Sequence, residues 1–196
     1  FTLNEVVVKN DILVKKPCYL GIIKEPTNMK FYFGRNVVTE FAAKIEIPED
    51  IEYYRVLKVV VAGVIRGKNN NPIRLHLYDD NNGSPGNELL TKDLLADNKI
   101  ILNGKKLEID ISQMSIKSND RILYVGIEAI ITTNSNKKDN ITDFYQGAYF
   151  TTKISKELTF ARGLKSPQWF PYILRFREDK NPCNLKAGFQ IQELKN

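Results

Sequence analysis

Few residues in this chain combine the types and spacing that catalysis requires. The sharpest group is Glu108-Ile109-Asp110-Ile111, where strand alternation puts both carboxylates on one face. A carboxylate pair of this kind suits glycoside hydrolysis, but retaining chemistry also needs a further carboxyl group about 5 Å from the nucleophile. Ser112 takes the next position on that face and Gln113 follows it, so the pair reads as a solvent-facing strand edge. His76 is the chain's only histidine, which excludes His-based metal clusters and leaves one residue for any His-dependent triad. It falls between Leu75 and Leu77 on the polar face of a strand, beside Arg74 and Tyr78. Asp79-Asp80-Asn81-Asn82-Gly83 invites a calcium reading, yet counting from Asp79 puts Gly83 at position 5 and Leu90 at position 12, where such a loop needs ligands. Gly83 and Gly86 follow a strand but precede neither a helix nor a Lys-Ser/Thr pair, so no phosphate loop is present. No catalytic residue, metal ligand set or cofactor is expected.

The remaining candidates are aromatic. Trp169, Phe170 and Tyr172, with Tyr53 and Tyr54, could supply stacking platforms for a ligand such as a sugar ring. Trp169 also has a structural reading: Ser166-Pro167-Gln168-Trp169-Phe170-Pro171 resembles a loop into a strand near Tyr172, with the indole sealing one end of the fold. Cys18 and Cys183 lack CxxC spacing, which argues against zinc or redox chemistry. They permit a single bridge in an oxidising compartment or two buried thiols.

These side chains need a scaffold, and the pattern of apolar residues is that of strands. Ile73 to Tyr78, Arg121 to Thr132, Leu107 to Ile111 and Phe41 to Ile47 alternate with period two. Val56 to Ile65 is apolar on both faces, as in a central strand covered on both sides. Further strands are expected at 19–24, 99–102, 145–152, 172–177 and 187–193, about ten in all. Only 87–95 suggests a helical turn. Turn clusters at 68–72, 79–86, 103–104, 117–120 and 134–140 separate the strands. The expected fold is therefore all-β: a two-sheet antiparallel, jelly-roll-like sandwich with little helix, over residues 15–196 behind an extended arm at 1–14.

The chain has 196 residues, enough for one domain with a sizeable core. Its 29 basic and 23 acidic residues are interleaved, so the net charge of +6 forms no basic stripe and nucleic acid is not an expected partner. No apolar run approaches the roughly 18 residues of a membrane helix, so no membrane insertion is expected. Phe1 is not an initiator Met, and the chain reads as a processed product.

Several of these pieces together resemble a known pattern. Phe1-Thr2-Leu3-Asn4-Glu5-Val6-Val7-Val8 is similar to the segment that follows a carboxypeptidase-regulatory-like domain in TonB-linked envelope proteins of Bacteroidota. Gly34 to Ile47, Arg74-Leu75-His76-Leu77-Tyr78, Gly83-Ser84-Pro85-Gly86, Leu89-Leu90, Leu107 to Ser112 with Ile116, and Tyr124-Val125-Gly126-Ile127-Glu128 resemble the strands and turns of an associated β-sandwich domain. That family has no established reaction and no catalytic residues to carry over. The resemblance implies a periplasmic or cell-surface location in a Gram-negative bacterium, and an accessory or interaction role towards an envelope protein or glycan. It also makes Glu108 and Asp110 parts of a structural strand, and pairs Glu128 with a neighbouring Arg or Lys.

Overall fold

Alternation decides which face each strand buries. The computed structural model describes residues 12–13, 16–27, 29–33, 38–65, 72–96, 106–130, 147–163, 166–173 and 181–195. In chain order the strands are β1 (Ile12–Leu13), β2 (Cys18–Gly21), β3 (Met29–Tyr32), β4 (Glu40–Glu46), β5 (Tyr54–Val61), β6 (Val64–Ile65), β7 (Ile73–Asn81), β8 (Ser84–Glu88) and β9 (Leu94–Ala96). They continue with β10 (Leu107–Asp110), β11 (Lys117–Ser118), β12 (Ile122–Ala129), β13 (Gly147–Thr151), β14 (Thr159–Gly163), β15 (Ser166–Pro171), β16 (Asn184–Leu185) and β17 (Ala187–Lys195). Among the described residues there is no α-helix, only a 3-10 turn at Ser112–Met114. The fold is an all-β antiparallel sandwich.

One sheet runs β1-β17-β5-β10, with β2 added to β17 and β11 to β5. The second runs β15-β14-β4-β12-β7-β8, with β9 added to β7. A smaller sheet joins β16, β13, β3 and β6. One continuous core draws on all three: Phe41, Ala43 and Ile45 from β4, Leu75 and Leu77 from β7, Val125 and Ile127 from β12, Val56 and Val59 from β5, Phe189 and Ile191 from β17, and Phe150 from β13. Leu75 and Leu77 are core residues, as alternation requires; β5 is a central strand flanked by β17 and β10 but ends at Val61, and Val64–Ile65 of the same apolar run forms β6 in the smaller sheet.

Three expectations need correction. Residues 87–95 form no helical turn; they finish β8 and begin β9, both of which hydrogen-bond to β7. Ser166–Pro171 is itself a strand rather than a loop, because an edge position leaves Pro167 and Pro171 with no inner ladder bond to donate. Asp79 to Gly86, expected as a turn cluster, is the tip of a hairpin, with β7 continuing to Asn81 and β8 starting at Ser84. Asn82 and Gly83 make its two-residue turn with φ of 53° and 86°, the backbone that a right-twisted hairpin favours. The strand expected at 99–102, the turns at 68–71, 103–104 and 134–140, and residues 1–11 and 174–177 lie outside the described residues. Ile12 and Leu13, counted in the arm, pair with Lys195 and Leu194 of β17.

A Cβ on Gly83 would meet nothing within 4 Å, so replacing it tests backbone strain alone. Gly83→Ala should lower stability by about 1 kcal/mol in urea unfolding, while Asn82→Gly should change it little.

Candidate functional site

Register assembles a site on the face of the second sheet that points away from the main core. Arg162 of β14 lies opposite Glu40 of β4, Glu40 opposite Glu128 of β12, and Glu128 opposite Arg74 of β7. The next row places Phe160, Ala42, Gly126 and His76 side by side. Two carboxylates thus face each other on neighbouring strands, flanked by two guanidinium groups, and two small residues leave a hollow in the row beside them.

His76 fills that hollow. A Cβ on Gly126 would come within 3.0 Å of the His76 Cβ and Tyr78 Cε2 and 2.9 Å of Glu40 Oε1, so only glycine leaves room for the three side chains. The imidazole is 7% exposed, yet it touches three carboxylates. Its Nδ1 is 2.5 Å from Glu88 Oε2, and its Nε2 is 3.3 Å from Glu128 Oε2 and 3.8 Å from Glu40 Oε1. Burial alone would lower the pKa of the ring. The hydrogen bonds to Glu128 and Glu88 and the field of Glu40 outweigh that penalty and push it up to about 9, so the ring is an imidazolium at neutral pH. The same contact with His76 holds Glu128 below the usual carboxylate range.

Glu40 is 1% exposed. Its Oε1 accepts the Tyr78 hydroxyl at 2.6 Å and its Oε2 accepts Arg162 Nε at 2.6 Å. Arg162 also donates from Nη2 to the Tyr78 oxygen at 3.1 Å and lies 4.5 Å over the Trp169 ring. Burial pushes Glu40 upward against the opposing fields of His76 and Arg162. Burial also raises the Tyr78 phenol, with Glu40 adding to the effect, so it stays a donor.

These contacts require a curled sheet. Tyr78 on β7 and Trp169 on β15 are four strand spacings apart, about 19 Å in a flat sheet, but their ring centroids lie 5.6 Å apart. The two edge strands, β15 and β8, come into contact. Ala42, Tyr78 and Tyr124, with Ile122, Phe160 and Trp169 against them, make a second small core inside the curl.

The aromatic candidates do not assemble into one platform. Trp169 is half-buried in the curl, while Phe170 is exposed. Tyr172 packs on Phe31 and Phe41, on the main-core side. Tyr54, on the other sheet, is fully buried and donates its hydroxyl to the Asp120 carbonyl, so its ring offers no surface to a ligand. Tyr53, next to it, lines a separate cleft with Asn119 and Lys195. Of the two cysteines, Cys18 is exposed on β2 and Cys183 is buried.

Glu108 and Asp110 do share a face, on β10. Glu108 accepts from Lys106 at 2.5 Å, from Lys58 at 2.7 Å and from the Tyr19 hydroxyl at 3.0 Å. Those bonds hold it down at about 2, the opposite of what a general acid needs. Asp79 accepts from the Asn87 backbone and side chain within the hairpin. Among the described residues no group of three or more His, Cys, Asp or Glu is placed to hold a metal ion. Sequence reading put His76 on a strand surface and did not single out Glu40, Glu88 or Arg162. The usable signal was Gly126 in the middle of an otherwise large-residue strand, which marks a close approach from the neighbouring strand. Comparisons with family models, curated proteins and solved structures found no match.

A histidine whose folded pKa is raised stabilises the fold fully below its unfolded value of about 6.5, and that contribution is lost as pH rises through about 9. Urea unfolding should therefore show a loss of about 3 kcal/mol over that window, and His76→Gln, less stable at pH 6, should lack it. Gly126→Ala should cost about 1–3 kcal/mol, through overpacking against His76 and Tyr78.

Proposed function

We propose that this chain is a non-catalytic β-sandwich interaction module that presents a rigid polar surface, at the mouth of its curled sheet, to a polar ligand or partner. One observation carries the reading: each carboxylate of the cluster is committed to at least two partners within the protein. Glu40 holds Tyr78 and Arg162, Glu128 holds Arg74 and His76, and Glu88 holds His76 and the Leu77 and Leu90 amides. General acid/base catalysis needs a group that can exchange its proton with substrate, and these internal bonds oppose exchange. They favour a preorganised surface instead.

The proposed setting is the periplasm or surface of a Gram-negative bacterium, with an envelope protein or glycan as partner; the motif resemblance to the Bacteroidota domains supports it. A second reading, carbohydrate binding, is favoured by the Arg162–Trp169 stack, which holds an indole beside a guanidinium that is one-third exposed. No helix among the described residues is long and apolar enough to cross a membrane.

Incubation with β-glucans and chromogenic glycosides should release no product from the wild type or from Glu108→Gln. Turnover by the wild type that Glu108→Gln abolishes would sink the non-catalytic reading.

A further inference from the structure

Beside the polar cluster, the edge of β7 changes partner. Tyr78 to Asn81 pair with β8, and Ile73 to Leu75 pair with β9. Between those pairings Leu89 still donates its amide to the Leu77 carbonyl, residues 90–93 carry the chain from β8 to β9, and the exchange leaves a notch of about 300 Å³ lined by Leu75, Glu88, Leu90, Thr91, Lys92 and Asp93. Building on the interaction-module reading, we propose that this notch is a binding site for one sugar residue.

Three features of the notch select that ligand class. Size comes first: 300 Å³ has room for one small ring such as a hexose and lies at the lower end for small-molecule sites. Charge is the second feature. Glu88 and Asp93 are balanced by Lys92 and by Arg74, whose Nε lies 3.4 Å from Asp93 Oδ1, so the notch favours neither an anion nor a cation. Hydroxyl groups, which both donate and accept, suit such a mixture of planar carboxylates, ammonium and the Thr91 hydroxyl.

Preorganisation is the third. Glu88 cannot swing, because its Oε1 accepts the Leu77 amide at 3.0 Å and the Leu90 amide at 3.2 Å, while its Oε2 meets the His76 imidazolium. A carboxylate has about four acceptor sites, which leaves capacity for one ligand hydroxyl. The buried cluster thus serves as the rigid backing of a site on its rim, separate from the Trp169 ring.

The test is a titration of the full chain with a panel of free hexoses and N-acetylhexosamines, and with glycine and lysine as zwitterionic controls, followed by the ring signals of its single histidine. At least one monosaccharide should bind with a Kd on the order of millimolar. The double variant Thr91→Ala/Asp93→Asn, on an exposed loop, should weaken it about tenfold or more, and Trp169→Phe should leave it unchanged. Loss of sugar binding in Trp169→Phe with retention in the loop variant would overturn the notch assignment and leave the interaction-module reading standing. Failure of every monosaccharide to bind at tens of millimolar, or binding of the zwitterions alone, would overturn the ligand class.

Discussion

Glu40 and Glu128 face each other on adjacent strands, and the rest of the second sheet is organised around that fact. Like charges directly opposite in a ladder repel, and burial strengthens the repulsion by removing water. Arg162 takes one carboxylate, Arg74 takes the other, and the His76 imidazolium stands between them. Each cation makes the other pairings tolerable. Removal of a cation from beside Glu40, the buried carboxylate, leaves a buried charge without its partner, which costs far more than the intact pair contributes.

The shape of the sheet follows from the same contacts. Arg162 on β14 meets the Tyr78 hydroxyl on β7, two strands beyond its own neighbour, and carries Trp169 of the edge strand with it. The His76 ring stacks on Tyr78 at 5.3 Å with 15° between planes, which fills the space that Ala42 and Gly126 leave open. The sandwich therefore has two interiors. One is apolar and lies between the sheets; the other is polar, lies inside the curl, and fixes the position of Glu88 at the edge where β7 changes partner.

Much of the first interior was legible from period-two alternation, which reports which face of a strand is buried. Leu75, Leu77, Val125 and Ile127 could be assigned to the core from their own strands alone. The second interior was not legible, because it depends on which strands are neighbours and in what register. Nothing within Arg74 to Tyr78 says that His76 lies opposite Gly126, or that Glu40 lies opposite both Glu128 and Arg162. Alternation marked the face of His76 as polar and hence outward, whereas the curl made that face an inside. β15 was missed for a related reason: its two prolines mark a loop unless the segment is known to be an edge. An ion pair of Glu128 with a neighbouring Arg or Lys was anticipated from the resemblance, and Arg74 supplies it.

The protonation state of His76 bears most directly on this arrangement. It is the only histidine, so its ring resonances need no assignment by mutagenesis. A proton or carbon NMR titration of the folded chain should give a single midpoint near pH 9, with the imidazolium intact at neutrality. A midpoint at or below the ordinary value of about 6.5 would contradict the network, since three carboxylates around a buried imidazole would then have no measurable hold on its proton.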